Sequence, residues 1–288
     1  MGELLRHLWN SGGEGGGVLV TAFETHGGRR VRVARAGSGP PIVFLHGYPD
    51  NLQIWGELAR RLEDRFELIC FDWPGMGESE PWPGGTTPAD QAARLETLLD
   101  AWKTDRATLV GADMGGQPAL VCAARFSARV RRLVVMNCLA YPDEKTSWEI
   151  RVLRKFGWNR RILRGLPGVV FRRAERTFLP RGTRLPEEVR GDLWKAFRRP
   201  EVRDFIVRLC AGYQGSLPRL PALYPKIACP TLILWGGKDS HFPPVHANRL
   251  HREIPGSELE ILREGHHWMA WHQADDVAAR ISTFMERT

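Results

Sequence analysis

The sequence predicts an α/β chain, a mostly parallel sheet with helices on both faces and an inserted helical cap. Three observations carry that expectation. Short apolar or β-branched runs alternate with longer segments of helical period, from Arg30 to Met136 and again from Pro230 to the end. One such run, Ala107–Val110, passes straight into a glycine-flanked turn and then a helix. The alternation lapses between Cys138 and Lys226, where helical patterns rich in Arg, Trp and Leu are broken by Pro167, Pro180, Pro186 and Pro200.

Taken in order, the chain opens on an N-terminal extension, residues 1–21, whose stretch 11–17 (SGGEGGG) has the composition of a flexible linker. Strands are expected at Arg30–Ala36, Pro41–Leu45, Glu67–Phe71, Ala107–Val110, Arg132–Met136, Pro230–Trp235 and Leu259–Leu262. Helices are expected at Leu52–Leu62, Pro88–Trp102, Gly116–Ala124, Pro244–Ile254 and Ala274–Phe284. This divides the chain into a core, residues 22–138 and 227–288, and a cap, residues 139–226. The cap is expected to lie over the C-terminal edge of the sheet, where open α/β sheets bind ligands.

Composition narrows the function classes. Hydrophobic residues make up 43% and charged residues 26% of the 288, as in ordinary globular domains. No apolar run approaches the roughly 20 residues that cross a bilayer, and the first twenty residues lack the apolar core of a signal peptide, so a cytoplasmic location is expected. The five cysteines, at 70, 122, 138, 210 and 229, form no CxxC pair; four lie in apolar runs and read as buried free thiols. Net charge is +8, and residues 151–203 hold sixteen Lys/Arg against five Asp/Glu. Such a segment suits nucleic acid, an anionic membrane surface or an acidic substrate, or is simply a solvated helical face. No nucleic-acid motif accompanies it, so no nucleic-acid partner is expected.

The most informative stretch is Gly111-Ala112-Asp113-Met114-Gly115, between a strand and a helix. This is the pattern of a nucleophile elbow, in which glycines permit a turn too tight for side chains and the central residue is held strained at the helix N-terminus. Most such elbows carry serine. Here the residue is aspartate, and the chemistry changes accordingly. A serine that attacks a saturated carbon is left as an ether that water does not cleave. A carboxylate that does so becomes an ester, which water hydrolyses, so the group turns over. The alternative is a serine-hydrolase relative that has lost its nucleophile.

Four motifs carry a resemblance: His46-Gly47-Tyr48-Pro49, Asp72-Trp73-Pro74-Gly75-Met76-Gly77-Glu78-Ser79, the elbow, and Trp235-Gly236-Gly237-Lys238-Asp239. Over residues 22–288 the chain resembles the α/β-hydrolase superfamily. With Asp at the elbow it is similar to the epoxide hydrolases and the haloalkane or haloacetate dehalogenases. The resemblance implies that Asp113 is the nucleophile, that the backbone N–H groups of Tyr48 and Met114 form an oxyanion hole, and that Asp239 orients a histidine base. Asp239 also suits a helix cap. For the base, Glu264-Gly265-His266-His267-Trp268 offers two residues. His267 is preferred, because Trp268 then supplies the family's aromatic neighbour and Val277 stands ten positions on. His46 and the Asp72 segment are read as structural. His266, His267 and His272 match no strong metal motif, and the implied reaction needs no metal or organic cofactor.

Substrate class divides on the leaving group. An epoxide oxygen needs a proton donor, whereas a halide needs N–H donors around it. The tryptophan that haloalkane dehalogenases place after the nucleophile is Met114 here, and the haloacetate arginine pair is Met114 and Pro118. Tyr213, late in the cap, stands where epoxide hydrolases carry a ring-opening tyrosine, and haloacetate dehalogenases have a tyrosine there too. With the haloalkane tryptophan and the haloacetate arginine pair both missing, the expected reaction is epoxide hydrolysis of a small apolar substrate to a diol. Dehalogenation, another α/β-hydrolase reaction or a non-catalytic ligand-binding relative are the alternatives. Trp158 is expected to pack in the core.

Overall fold

The computed structural model describes residues 18–143, 146–153 and 156–287. Most of the N-terminal extension and four cap positions lie outside them. One sheet of eight strands organises the fold, in the order β1-β2-β4-β3-β5-β6-β7-β8. The strands are β1 (Ala22–His26), β2 (Arg29–Ala36), β3 (Pro41–Leu45), β4 (Glu67–Phe71), β5 (Ala107–Ala112), β6 (Val130–Met136), β7 (Thr231–Gly236) and β8 (Glu258–Leu262). β1 and β2 form an antiparallel hairpin, β2 pairs antiparallel with β4, and the rest are parallel.

The central strands read as unbroken apolar runs because helices cover both their faces; IVFL of β3 and TLILWG of β7 are buried throughout. Seven strands were expected, and all seven form within two residues of the expected ends. β1 was not expected, since an edge strand with a half-exposed AFETH sequence has no apolar run. The expected helix Leu52–Leu62 is a 3-10 turn, Leu52–Trp55, followed by α1 (Gly56–Leu62); the Asn51 side chain caps the turn by accepting from the Gln53 N–H.

α2 (Pro88–Ala101) begins in a capping box between Thr87 and Asp90, with Pro88 in the first turn, where a missing N–H costs little. α3 (Gly116–Arg125) follows the elbow. Between β6 and β7 the chain inserts α4 (Trp148–Leu153), α5 (Phe156–Gly165), α6 (Pro167–Phe178), α7 (Glu187–Phe197) and α8 (Pro200–Ser216). α9 (Val245–Glu253), α10 (Met269–His272) and α11 (Ala274–Arg287) complete the core.

The insertion is fastened to the sheet side at α7. Arg32 of β2 makes a two-pronged contact with Asp192, at 2.9 and 2.6 Å, and Asn51 donates to the same carboxylate at 2.8 Å. Lys195 pairs with Glu78 at 2.7 Å, and Arg199 donates to the Gly77 carbonyl. Planar guanidinium and carboxylate fit each other edge to edge, so this contact fixes direction as well as distance.

Among the described residues no helix is long and apolar enough to cross a membrane. Four of the free cysteines are buried. Trp158 does not pack in the core: it is 61% exposed on α5.

Candidate active site

β5 ends in the elbow. Asp113 has φ +49°, a conformation that costs a non-glycine residue free energy and persists only where surroundings enforce it. The enforcement is visible. The Asp113 N–H donates to the Asn137 carbonyl at 3.1 Å. A side chain on Gly115 would strike the Leu45 carbonyl, and one on Gly47 would strike the Asp113 carboxylate itself. The carboxylate is buried, and the amides of Tyr48 and Met114 both donate to it, the Tyr48 N–H at 3.1 Å from Oδ2. Burial drives its pKa up, to about 6, against the pull of His267 and the two amides.

His267 lies between two carboxylates. Its Nδ1 is 2.8 Å from Asp239 Oδ2, and its Nε2 is 4.0 Å from Asp113 Oδ2. The second distance is too long for a hydrogen bond. Burial alone pulls the imidazole pKa down, but the charge and hydrogen bond of Asp239, then Asp113 and Asp50, outweigh it and hold the pKa at about 9. Asp239 serves two purposes. Its Oδ2 meets His267, while its Oδ1 accepts the N–H groups of His241 and Phe242, at 2.7 and 3.0 Å, and shapes the turn after β7. Among the described residues the His266 ring makes no such hydrogen bond to a carboxylate; its backbone N–H donates to His272 Nε2, which occupies that nitrogen's lone pair. His46 is buried, held at a pKa of about 4 by desolvation, and accepts the Trp73 N–H, a structural duty.

The structure thus brings Asp113, Asp239, His267 and the Tyr48 and Met114 amides to one point at the C-terminal edge of the sheet. Tyr213 is buried on α8 near them. Cys210, one turn earlier, contacts the Tyr48 phenol at 3.8 Å, and both Cys210 and Tyr213 push the already desolvated Tyr48 hydroxyl further up in pKa. A cavity of about 140 Å³ opens over Asp113, walled by Tyr48, Ile162, Val170, Phe178 and His241 among others. The phenol in this wall is that of Tyr48; Tyr213 stands beside it.

Three residues at this site escaped sequence reasoning. Asn137, after β6 with φ +39°, donates through Nδ2 to the carbonyls of His266 and His267 and accepts the Gly236 N–H through Oδ1. With its own carbonyl on Asp113 N, it ties the elbow, the end of β7 and the histidine loop together. The signal was a lone polar residue ending the apolar run VVMNCL. Asp50, two residues after Tyr48, accepts from Trp268 Nε1 at 3.2 Å, while its Oδ1 is buried with no hydrogen-bond partner among the described residues. Burial, then the Asp113 charge, push its pKa to about 8. His241 meets Ser147 Oγ and Thr177 Oγ1, at 2.9 and 2.8 Å, and so links the insertion to the turn that carries Asp239.

The parallel sheet, the elbow and the insertion over its edge define the class, a hydrolase fold of the α/β type. The family model for the alpha/beta hydrolase fold matches residues 40–273, and the chain belongs to that family. The chain is 31% identical, over 92% of its length and 80% of the relative's, to an uncharacterized protein of Mycobacterium tuberculosis. It is 27% identical, over 91% and 93%, to the 2-hydroxy-6-oxononadienedioate/2-hydroxy-6-oxononatrienedioate hydrolase of Klebsiella pneumoniae. In fold it matches the epoxide hydrolase CorEH at a TM-score of 0.79 and 19% identity, covering 93% of this chain and 98% of that one.

Proposed function

We propose that this hydrolase opens epoxides through an ester on Asp113. The observation that carries the reading is the setting of the carboxylate: one oxygen lies in reach of the Tyr48 amide, with a histidine–aspartate pair 4.0 Å off. In the first half-reaction Asp113 attacks a saturated carbon of the ring. The C–O bond of the epoxide breaks, and the leaving oxygen takes a proton from the phenol pair Tyr48 and Tyr213. Tyr48 faces the cavity, and Tyr213, the donor implied by the sequence, stands beside it. The amide-bound oxygen becomes the ester carbonyl, so the hole is in place before an oxyanion develops.

Esterification also removes the Asp113 charge. That charge, with that of Asp239, holds the proton on His267, so on esterification the imidazole pKa falls, its proton passes to the phenolate left by ring opening, and the ring becomes a base when one is needed. His267, oriented by Asp239, takes a proton from water, which attacks the ester carbonyl and releases a diol. Asp50, held protonated near neutral pH, offers its unpartnered oxygen to that water. A halide would need N–H donors in a dry site. The Trp268 indole is committed to Asp50, and Trp148 lies 60% exposed at the cavity wall.

The test is intact mass of the His267→Gln variant after incubation with separate epoxide and haloalkane panels. The expected result is a gain equal to the whole epoxide, mapped to the Asp113 peptide. A gain equal to the halide substrate less HX would establish dehalogenation instead. Full turnover by the variant would remove His267 from the mechanism.

A further inference from the structure

The surface around the cavity mouth is unlike the rest of the molecule. Trp148, Val152, Ile162 and Val169 line the cavity from α4, α5 and α6, yet Trp148 and Val169 are 60% and 52% exposed. Trp158 and Leu166 flank Ile162 at four-residue spacing, and they are 61% and 55% exposed. Exposed large apolar residues are few among the described residues, and four of them fall on this one stretch of 22 residues. Contiguous apolar surface beside a ligand cavity marks a place of contact.

Charge says what it contacts. Across residues 156–178 there are six arginines and one glutamate, and Glu175 is taken by Arg190 at 2.7 Å. Arg160, Arg161, Arg172 and Arg176 are exposed, and Arg164 pairs with Asp204. Along α5 and at its end, Trp158, Ile162 and Leu166 share one face and Arg160 and Arg164 the opposite one, the pattern of a helix that lies in a headgroup layer, and the exposed arginines of α6 extend the charge beside it. We propose that α4–α6 dock the enzyme on the surface of an anionic phospholipid bilayer, with the mouth of the cavity against the lipid. An apolar substrate dissolved in the bilayer would then reach Asp113 without crossing water. The arginines supply long-range attraction, and the indoles and Leu166 enter the interface. α7 stays clasped to the sheet through Asp192, so docking leaves the insertion fastened at that end.

The inference does not depend on which bond the site cleaves, and its readout is binding. The full chain is sedimented with phosphatidylcholine vesicles and with vesicles of phosphatidylcholine mixed with phosphatidylglycerol. Binding is expected to the mixed vesicles only, and to weaken as salt rises, because screening shortens the reach of the arginines. Arg160→Ser with Arg172→Ser should weaken it by about fivefold per arginine, from roughly 1 kcal/mol for each cation near an anionic surface. Trp158→Ala with Leu166→Ala, both outside the cavity wall, should also weaken it and leave the melting temperature in place. Equal binding to both vesicle types would overturn the electrostatic part. No binding to either would overturn the whole. A dimer that dissociates on Trp158→Ala, with no vesicle binding, would give the surface to a second copy of the chain. Binding to DNA in preference to vesicles, lost on arginine replacement, would give it to a polyanion instead.

Discussion

The rim of the sheet and the helices that roof it solve opposite problems. At the rim, buried polar groups hold each other: Asn137 ties three loops, Asp239 shapes its own turn while gripping His267, and two amides grip Asp113. Nothing there moves without breaking several hydrogen bonds in a low-dielectric interior, where each is strong and each orphaned group costly. In the roof, side chains of α4–α6 end in an apolar wall on one side and exposed indoles and arginines on the other. One clasp at α7 holds the roof to β2. The difference teaches where function sits. Chemistry lies where the backbone is over-determined, and selection of what enters lies where only side chains meet the ligand.

The widest test of the rim is pH. In the proposed reaction, ester formation, followed in a single turnover, needs Asp113 ionised. With its pKa raised to about 6, the rate should fall about tenfold for each unit below that value, so that roughly 1% remains at pH 4. A carboxylate with the ordinary pKa of 3.8 would keep more than half. A rate that stays level down to that pH would mean that the desolvation of Asp113 is lifted in the working enzyme. Stability runs differently. His267 has its pKa raised from 6.5 to about 9 in the fold, so its contribution is fully present below pH 6.5 and is lost as pH rises through about 9.

Asn137→Ala removes the tie between the three loops of the rim. It leaves the Gly236 N–H and the His266 and His267 carbonyls without their side-chain partner, and it places alanine at φ +39°, a conformation asparagine tolerates better. A loss of about 3 kcal/mol is expected, which lowers the melting temperature by roughly 6–12 °C. kcat should fall with it, because the elbow and the histidine loop are no longer tied. A loss of stability with kcat unchanged would show that the rim does not need this residue to hold its geometry.

Legibility followed the same divide. The parallel strands were plain because burial on both faces leaves continuous apolar runs, whereas β1, an exposed edge, left none. Asp113, Asp239 and the histidine pair stood out through the glycines around them, since tight turns leave a compositional mark. Asp50 and His241 left no mark, and Asn137 only a polar residue within an apolar run, because a single polar residue shows its value only when distant loops converge on it. The choice between His266 and His267 rested on spacing, and in the structure His267 is the one beside Asp239. The sequence points Trp158 to the core because tryptophan usually packs there; its place on the outer side of the roof depends on packing that periodicity does not carry.

The smallest effect expected is at the clasp. Asp192→Ala removes the carboxylate shared by Arg32 and Asn51. Arg32 is nearly buried, but it keeps Glu78 at 3.3 Å and Asp72 at 3.7 Å, so its charge is not stranded. The cost should therefore stay near the lower end for a charged hydrogen-bonded pair, about 1–3 kcal/mol. What changes is the fastening of α7 to the sheet. KM should rise severalfold, kcat should hold within about twofold, and limited proteolysis should speed up between residues 146 and 226, since that readout follows the population of the opened form. Asp192→Asn keeps the shape and part of the hydrogen bonding, so it should recover most of the KM. If instead kcat drops and KM holds, the clasp positions the reacting groups, and rim and roof are one device.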